Sequence, residues 1–331
     1  MKKLCIIFLA LYAGKASAQD PNFSQFFANP LTLNPALAGT GQGEARLGVN
    51  FRNTWLGNTS PFTTGSLAFD KAILKNKLQE NDRFGIGGYA LYDQSNGGAL
   101  KSTVIAATVA YNKALDANGV HNIGIGFQGS YANRTLDYSK LTFEDQFTSG
   151  GYDPGIPTGD ALNSKSRSYM DFNIGASYRY ETQKLNANAG ITINHIMRPN
   201  DYMWDDLNGK RRFTAHAGGS YKLNDDNRIE VNAIYQSRGN ANELSLGGAY
   251  GLQMNANEKE PLGFWVGGYL RVNDAFYPYC AVDYRNVRAG ISYDVTVSSM
   301  KSASQSRKSL EFSVIYRFTK KSNEAPAKVT L

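Results

Sequence analysis

From Glu44 to Phe318 most segments between turn signals alternate apolar and polar residues one by one, and this period of two constrains the fold more than any other feature. Successive side chains of a strand point to opposite faces, whereas a helical face repeats every 3.6 residues. His121 to Tyr131 sets Ile123, Ile125, Phe127 and Tyr131 against Asn122, Gly124, Gly126, Gln128 and Ser130. Tyr169 to Tyr180 sets Met170, Phe172, Ile174, Ala176, Tyr178 and Tyr180 against Asp171, Asn173, Gly175, Ser177 and Arg179. The same rule runs from Leu185 to Asn194, from Val287 to Val295 and from Leu310 to Phe318. Fourteen such segments begin near residues 44, 62, 83, 101, 120, 168, 184, 212, 228, 242, 261, 275, 286 and 309.

A sandwich of two sheets needs an apolar inner face. Here the second face carries Arg46, Arg52, Asp171, Arg179, Lys222, Arg228, Glu230, Glu243, Arg271, Asp294, Glu311 and Arg317. Charges of both signs on one face, opposite an apolar one, suit a membrane barrel with a wet or salt-bridged lumen. The sequence therefore predicts an all-β fold, a single transmembrane antiparallel β-barrel of about 14 strands. Outer-membrane barrels alternate short periplasmic turns with longer external loops. The short connections 181–183, 223–227 and 284–285 fall at even positions in the strand order, and the long ones, roughly 134–167, 196–211 and 297–308, at odd positions. With both termini in the periplasm, every long loop points outward. Tyr92, Tyr111, Tyr131, Tyr180, Tyr221 and Phe318 recur near strand ends, as aromatic girdles require.

The first residues fit export. Lys2 and Lys3, the apolar run from Leu4 to Ala13 and the small residues Ala16-Ser17-Ala18 make a secretory signal peptide cut after Ala18, too short to span a bilayer. Loss of Lys2, Lys3 and Lys15 lowers the net charge from +7 to +4, and the basic residues are scattered, so no nucleic acid is expected as partner. Cys5 leaves with the signal peptide, and Cys280 alone forms neither an internal disulfide nor a cysteine metal cluster. The expected organisation is a signal peptide over 1–18, a Pro/Asn-rich segment over 19–43, a barrel over 44–318 and a periplasmic tail over 319–331.

No catalytic residue, metal site or cofactor is expected. Gly124, Gly126 and Gly129 spell a dinucleotide fingerprint, but that motif needs a helix opening behind it, whereas these glycines are expected in mid-strand on the lumen face. His121, His195 and His216 have no second ligand at metal spacing, and no nucleophile elbow occurs.

Ahead of the first strand, Pro21, Pro30 and Pro35 forbid a long helix, Asn-Pro occurs twice, and Phe23, Phe26, Phe27, Leu31 and Leu33 need burial. Such a stretch should dock, as a plug in the barrel mouth or on a periplasmic contact. The run from Gln19 to Gly39 resembles the mature start of the PorP/SprF family of type IX secretion and gliding-motility membrane proteins of Bacteroidota. Arg52-Asn53-Thr54-Trp55 and the segments Tyr293–Ser298 and Ser309–Phe318 are similar to further stretches of that family. The resemblance implies an outer-membrane barrel that works with the translocon or holds a secreted adhesin through its C-terminal sorting domain. Periplasmic motor or peptidoglycan-associated components would be further partners, with outer-membrane lipid around the wall. Partner-binding candidates are Asp20, Pro21, Phe23, Gln25, Asn29, Pro30, Asn34, Pro35, Arg52 and Trp55. The charged, glycine-rich lumen face leaves a second reading open, a channel for hydrophobic solutes like the 14-stranded fatty-acid transporters.

Overall fold

A computed structural model describes residues 21–55, 61–74, 77–79, 81–153, 155–158, 164–199, 209–254, 261–297 and 308–319. The expected signal peptide, Asp20 and all of the expected tail beyond Thr319 lie outside them.

The polar-apolar alternation resolves into one closed antiparallel barrel of 14 strands. These are β1 (Ala45–Thr54), β2 (Phe62–Ile73), β3 (Arg83–Ser95), β4 (Leu100–Ala114), β5 (His121–Leu136), β8 (Lys165–Glu181) and β9 (Leu185–Asn194). The wall continues through β10 (Arg212–Lys222), β11 (Asn227–Arg238), β12 (Ala241–Met254), β13 (Leu262–Arg271), β14 (Ala275–Tyr284), β15 (Val287–Thr296) and β16 (Lys308–Phe318). The remaining two strands, β6 (Phe147–Thr148) and β7 (Gly151–Tyr152), pair only with each other, in the loop between β5 and β8. Closure comes from β16 lying against β1, Phe318 opposite Ala45 and Ser309 opposite Thr54. A closed barrel leaves no sheet edge inside the bilayer, where an unpaired backbone group would cost several kcal/mol.

The two faces sort as the alternation requires. Leu67, Ile105, Phe127, Ile174, Val231, Val266 and Phe312 stand exposed on the outside, while Asn50, Asp70, Gln128, Asp171, Arg271, Asp294 and Glu311 are buried inside. An apolar exterior over a polar interior is stable only in lipid. Tyr92, Tyr131, Tyr221 and Phe318 are exposed. Tyr111 is half-buried and donates to Asp82 Oδ2.

Two expectations need correction. Gly129 does not face the lumen with Gly124 and Gly126: the parity of β5 puts it outside, where a Cβ would sit 3.4 Å from the Phe172 ring. The connection expected over 134–167 is shorter, because β5 and β8 continue as a ladder up to Leu136 opposite Lys165. The alternation fades there because both faces are in water, so nothing forces one of them to be apolar.

Short turns are closed by local hydrogen bonds. Between β4 and β5 the Asp116 carboxylate accepts from the N–H groups of His121, Val120 and Asn118 at 2.6, 3.0 and 3.0 Å. Those bonds, that of His121 first, hold the carboxyl below the usual carboxylate range.

Candidate functional site

The stretch ahead of β1 runs inside the barrel. It begins near Arg52, at the mouth where the long loops emerge, and ends near Asp70, at the mouth of the short turns. The Asn-Pro pairs set its path. Pro30 and Pro35 each stand at the first position of a short helical piece, Pro30–Leu33 and Pro35–Leu37, where a missing N–H costs nothing. The Asn34 side chain accepts from Ala36 N–H at 2.9 Å, capping the second piece.

At the long-loop end the segment is clamped by buried charge. Glu311, 0% exposed, accepts from the N–H groups of Ser24 and Gln25 at 2.6 and 3.0 Å. The Ser24 hydroxyl donates to Asp294, which also accepts from Arg52 at 2.8 Å and Arg271 at 3.3 Å. Arg52 donates in addition to the Asn22 carbonyl, and Gln25 bonds Ser292 and Ser313. Two carboxylates and two guanidinium groups thus neutralise one another around the segment backbone. Removing one member of such a buried set costs about 3–5 kcal/mol, because its partners are left charged and dry.

In the middle, wall side chains satisfy the backbone that a folded loop would otherwise bury unpaired. Gln128 donates to the Leu31 carbonyl, Thr192 to that of Leu33 and Asn112 to that of Ala36. Asn29 donates to Ser66 and Asn34 to the Ala176 carbonyl. Phe27 stacks on Tyr269, centroids 5.2 Å apart, and meets Tyr279 edge-on at 5.4 Å. Tyr269 lies in turn flat on Tyr277. At the short-turn end Gly39 N–H donates to Asp70, itself paired with Arg46, and Arg179 donates to the Thr40 carbonyl at 3.1 Å.

Two glycines make this approach possible. A Cβ on Gly126 would stand 2.2 Å from the Ala36 nitrogen, and one on Gly85 2.0 Å from the Ala38 carbonyl oxygen. Gly126→Val should therefore push the segment off the wall at a cost of about 1–3 kcal/mol. The expected outcome is faster proteolytic cutting within residues 21–40 of the purified barrel, with its heat-stable gel mobility unchanged. Equal cutting of variant and parent would show that the wall does not hold the segment there.

Most of the partner-binding candidates meet around this one path. Phe23, Gln25, Asn29, Asn34, Pro35 and Arg52 are buried, and Pro30 is half-buried, all spent on contacts within the chain. Pro21 lines the space above the segment. Trp55 lies apart from it, past the end of β1, its ring edge-on to Phe62 at 4.5 Å. On the sequence Glu311, Asp294 and Arg271 belong to the lumen face, but nothing there ties them to the segment they clamp, and nothing marks Tyr269, Tyr277 and Tyr279 as residues that meet it.

Above the segment, toward the long loops, a vestibule of about 970 Å³, its open mouth included, is lined by Phe23, Phe26, Leu91, Val104, Tyr169 and Arg212 among others.

A family model described as type IX secretion system membrane protein PorP/SprF matches residues 15–316. No curated protein matches the chain. Among solved structures, that of a Pseudomonas aeruginosa FadL homologue aligns with a TM-score of 0.50 at 11% identity, over 86% of this chain and 93% of that one. The Pseudomonas putida toluene transporter TodX aligns with a TM-score of 0.49 at 9% identity, over 91% and 95% of the two chains. At such identities the first likeness is one of fold alone.

Proposed function

The chain belongs to the PorP/SprF family of type IX secretion system membrane proteins, and from that premise we propose that it anchors a secreted surface protein at the outer membrane. In this reading the barrel is non-enzymatic. Its long-loop mouth holds the exported protein, an adhesin or its C-terminal sorting domain, and its short-turn mouth meets the secretion apparatus and periplasmic motor or peptidoglycan-associated components. The observation that carries the reading is that the lumen is spent on the chain's own segment, clamped by Glu311 and packed on Tyr269. A wall so used transports little, and what it leaves for partners is its two rims. The candidates buried in the lumen then act on partners indirectly, by shaping the mouth, while Pro21 and Trp55 stand nearer to it.

A second reading, a channel for hydrophobic solutes, is favoured by the apolar share of the vestibule, Phe23, Phe26, Leu91 and Val104. The two part on one experiment. Tagged barrel drawn from detergent-solubilised outer membranes should carry a large secreted protein or type IX components, identified by mass spectrometry. Recovery of the barrel alone would overturn anchoring and leave the channel to be tested by solute uptake.

A further inference from the structure

Where the barrel closes, at the short-turn mouth, the ladder sets two arginines against each other. Arg46 of β1 lies directly opposite Arg317 of β16. Arg46 shares the parity of the buried Asn50, and Arg317 that of the buried Glu311, so both side chains turn inward. Arg288, inward on the neighbouring β15, lines the same space. Like charges placed opposite one another in a ladder repel.

The carboxylates at hand are already taken. Asp70 accepts two bonds from Arg46, at 2.9 and 3.1 Å, and one from Gly39 N–H. Arg288 holds the other two: Asp283 accepts from its Nε and Nη2 at 2.6 and 2.7 Å, and Glu230 from its Nη1 at 2.9 Å. Arg317 is left over. Its half-buried side chain forms no hydrogen bond or ion pair with any described residue. Against it lies a cavity of about 750 Å³, its open mouth included, between the segment and the wall. Arg46, Arg288 and Arg317 line this space against one carboxylate, Glu230, with Asn186 and Ser220 across the lumen.

We propose that this cavity binds a small oxyanion of the phosphate type, seated on the Arg317 guanidinium. A guanidinium presents a planar fork of donors that takes a phosphate group by two parallel bonds. Arg46 and Arg288 keep their carboxylates, so Arg317 alone supplies free charged donors, and Asn186 and Ser220 add neutral ones. The bound anion offsets the repulsion across the closing seam, which the carboxylates of the described chain leave standing. The site does not depend on what the long-loop mouth holds.

Inorganic phosphate is the probe. Equilibrium dialysis of radiolabelled phosphate against the detergent-purified barrel should show one saturable site per chain. Arg317→Gln should weaken it about tenfold or more, the loss of one charge-assisted pair. Arg317→Lys keeps the charge without the fork and should fall between the two. Lys184→Gln removes an exposed positive charge from a turn at the same mouth and should leave the affinity as it is. Gel mobility before and after heating reports that each variant is a folded barrel. Glycerol phosphate separates the sources: if it displaces the label, the site accepts a phosphate ester, and if it does not, the site is one for the free ion. Absence of saturable binding to the folded parent, or equal affinity of parent and Arg317→Gln, overturns the site. An equal loss with Lys184→Gln also overturns it, since the mouth would then attract anions only by its general charge.

Discussion

A barrel lacking residues 20–35 should conduct ions where the intact protein does not. The 14-strand ladder contains no residue of that segment, so closure between β1 and β16 does not depend on it. What the deletion removes is the lumen filling: Phe23, Phe26, Leu31 and Leu33, with the backbone that Glu311, Gln128 and Thr192 bind. The wall left behind is lined by Arg52, Asp70, Asp171, Arg271, Asp294 and Glu311, which water solvates and apolar collapse does not. Barrels of somewhat larger strand number enclose aqueous channels, so conductance in planar bilayers is expected to rise by about tenfold or more. The measurement is paired with gel mobility before and after heating, which reports whether the variant is a folded barrel. A folded variant no more conductive than its parent would show that the segment is not what closes the lumen, and that the loops do.

The same contacts explain what the sequence made legible. Strand positions came through within three residues because lipid on one side and polar contacts on the other impose alternation along nearly the whole wall. Where that contrast ends, as at the tips of β5 and β8, the pattern carries no information and the strands extend beyond it. Gly129 was misplaced for a related reason: a glycine has no side chain to declare its face, and only its parity with Phe127 and Tyr131 assigns it. The composition of the segment was enough to say that it must dock. Its path was not, because the residues that fix it, Glu311 against Ser24 or Asp294 against Arg52, are separated by most of the chain. A glutamate on the lumen parity of the last strand reads simply as one more lumen charge until its partners are in place. Lumen aromatics such as Tyr269 and Tyr277 were hidden because aromatic residues also stand on the lipid face of many strands, so their type carries no sign of side.

The direction of the segment leads to the other large effect. Residues 22 to 40, drawn out at about 3.3 Å per residue, reach about 60 Å, twice the roughly 30 Å of a hydrocarbon core, so a path interrupted by turns still crosses it. Asn22 lies at the long-loop mouth beside Arg52, and Gln42 at the short-turn mouth with Arg46 and Arg317. Since long loops face outward in such barrels, Asn22 should stand open to the cell surface even though β1 starts from the periplasmic side, so the expectation that both ends of the mature chain face the periplasm does not extend to this end of the segment. In a Cys280→Ser background, which removes the exposed thiol on β14, Asn22→Cys should react with a charged, membrane-impermeant maleimide on intact cells. Gln42→Cys should react about tenfold less until the outer membrane is permeabilised, because the charged reagent does not cross hydrocarbon. The opposite pattern would reverse the barrel or withdraw the segment from the lumen, and in either case would detach the Glu311 clamp from the surface side of the protein. The expected pattern would put that clamp directly beneath the mouth where the proposed anchoring would hold an exported protein, so that the segment would both close the lumen and, in that reading, form part of the floor under the partner.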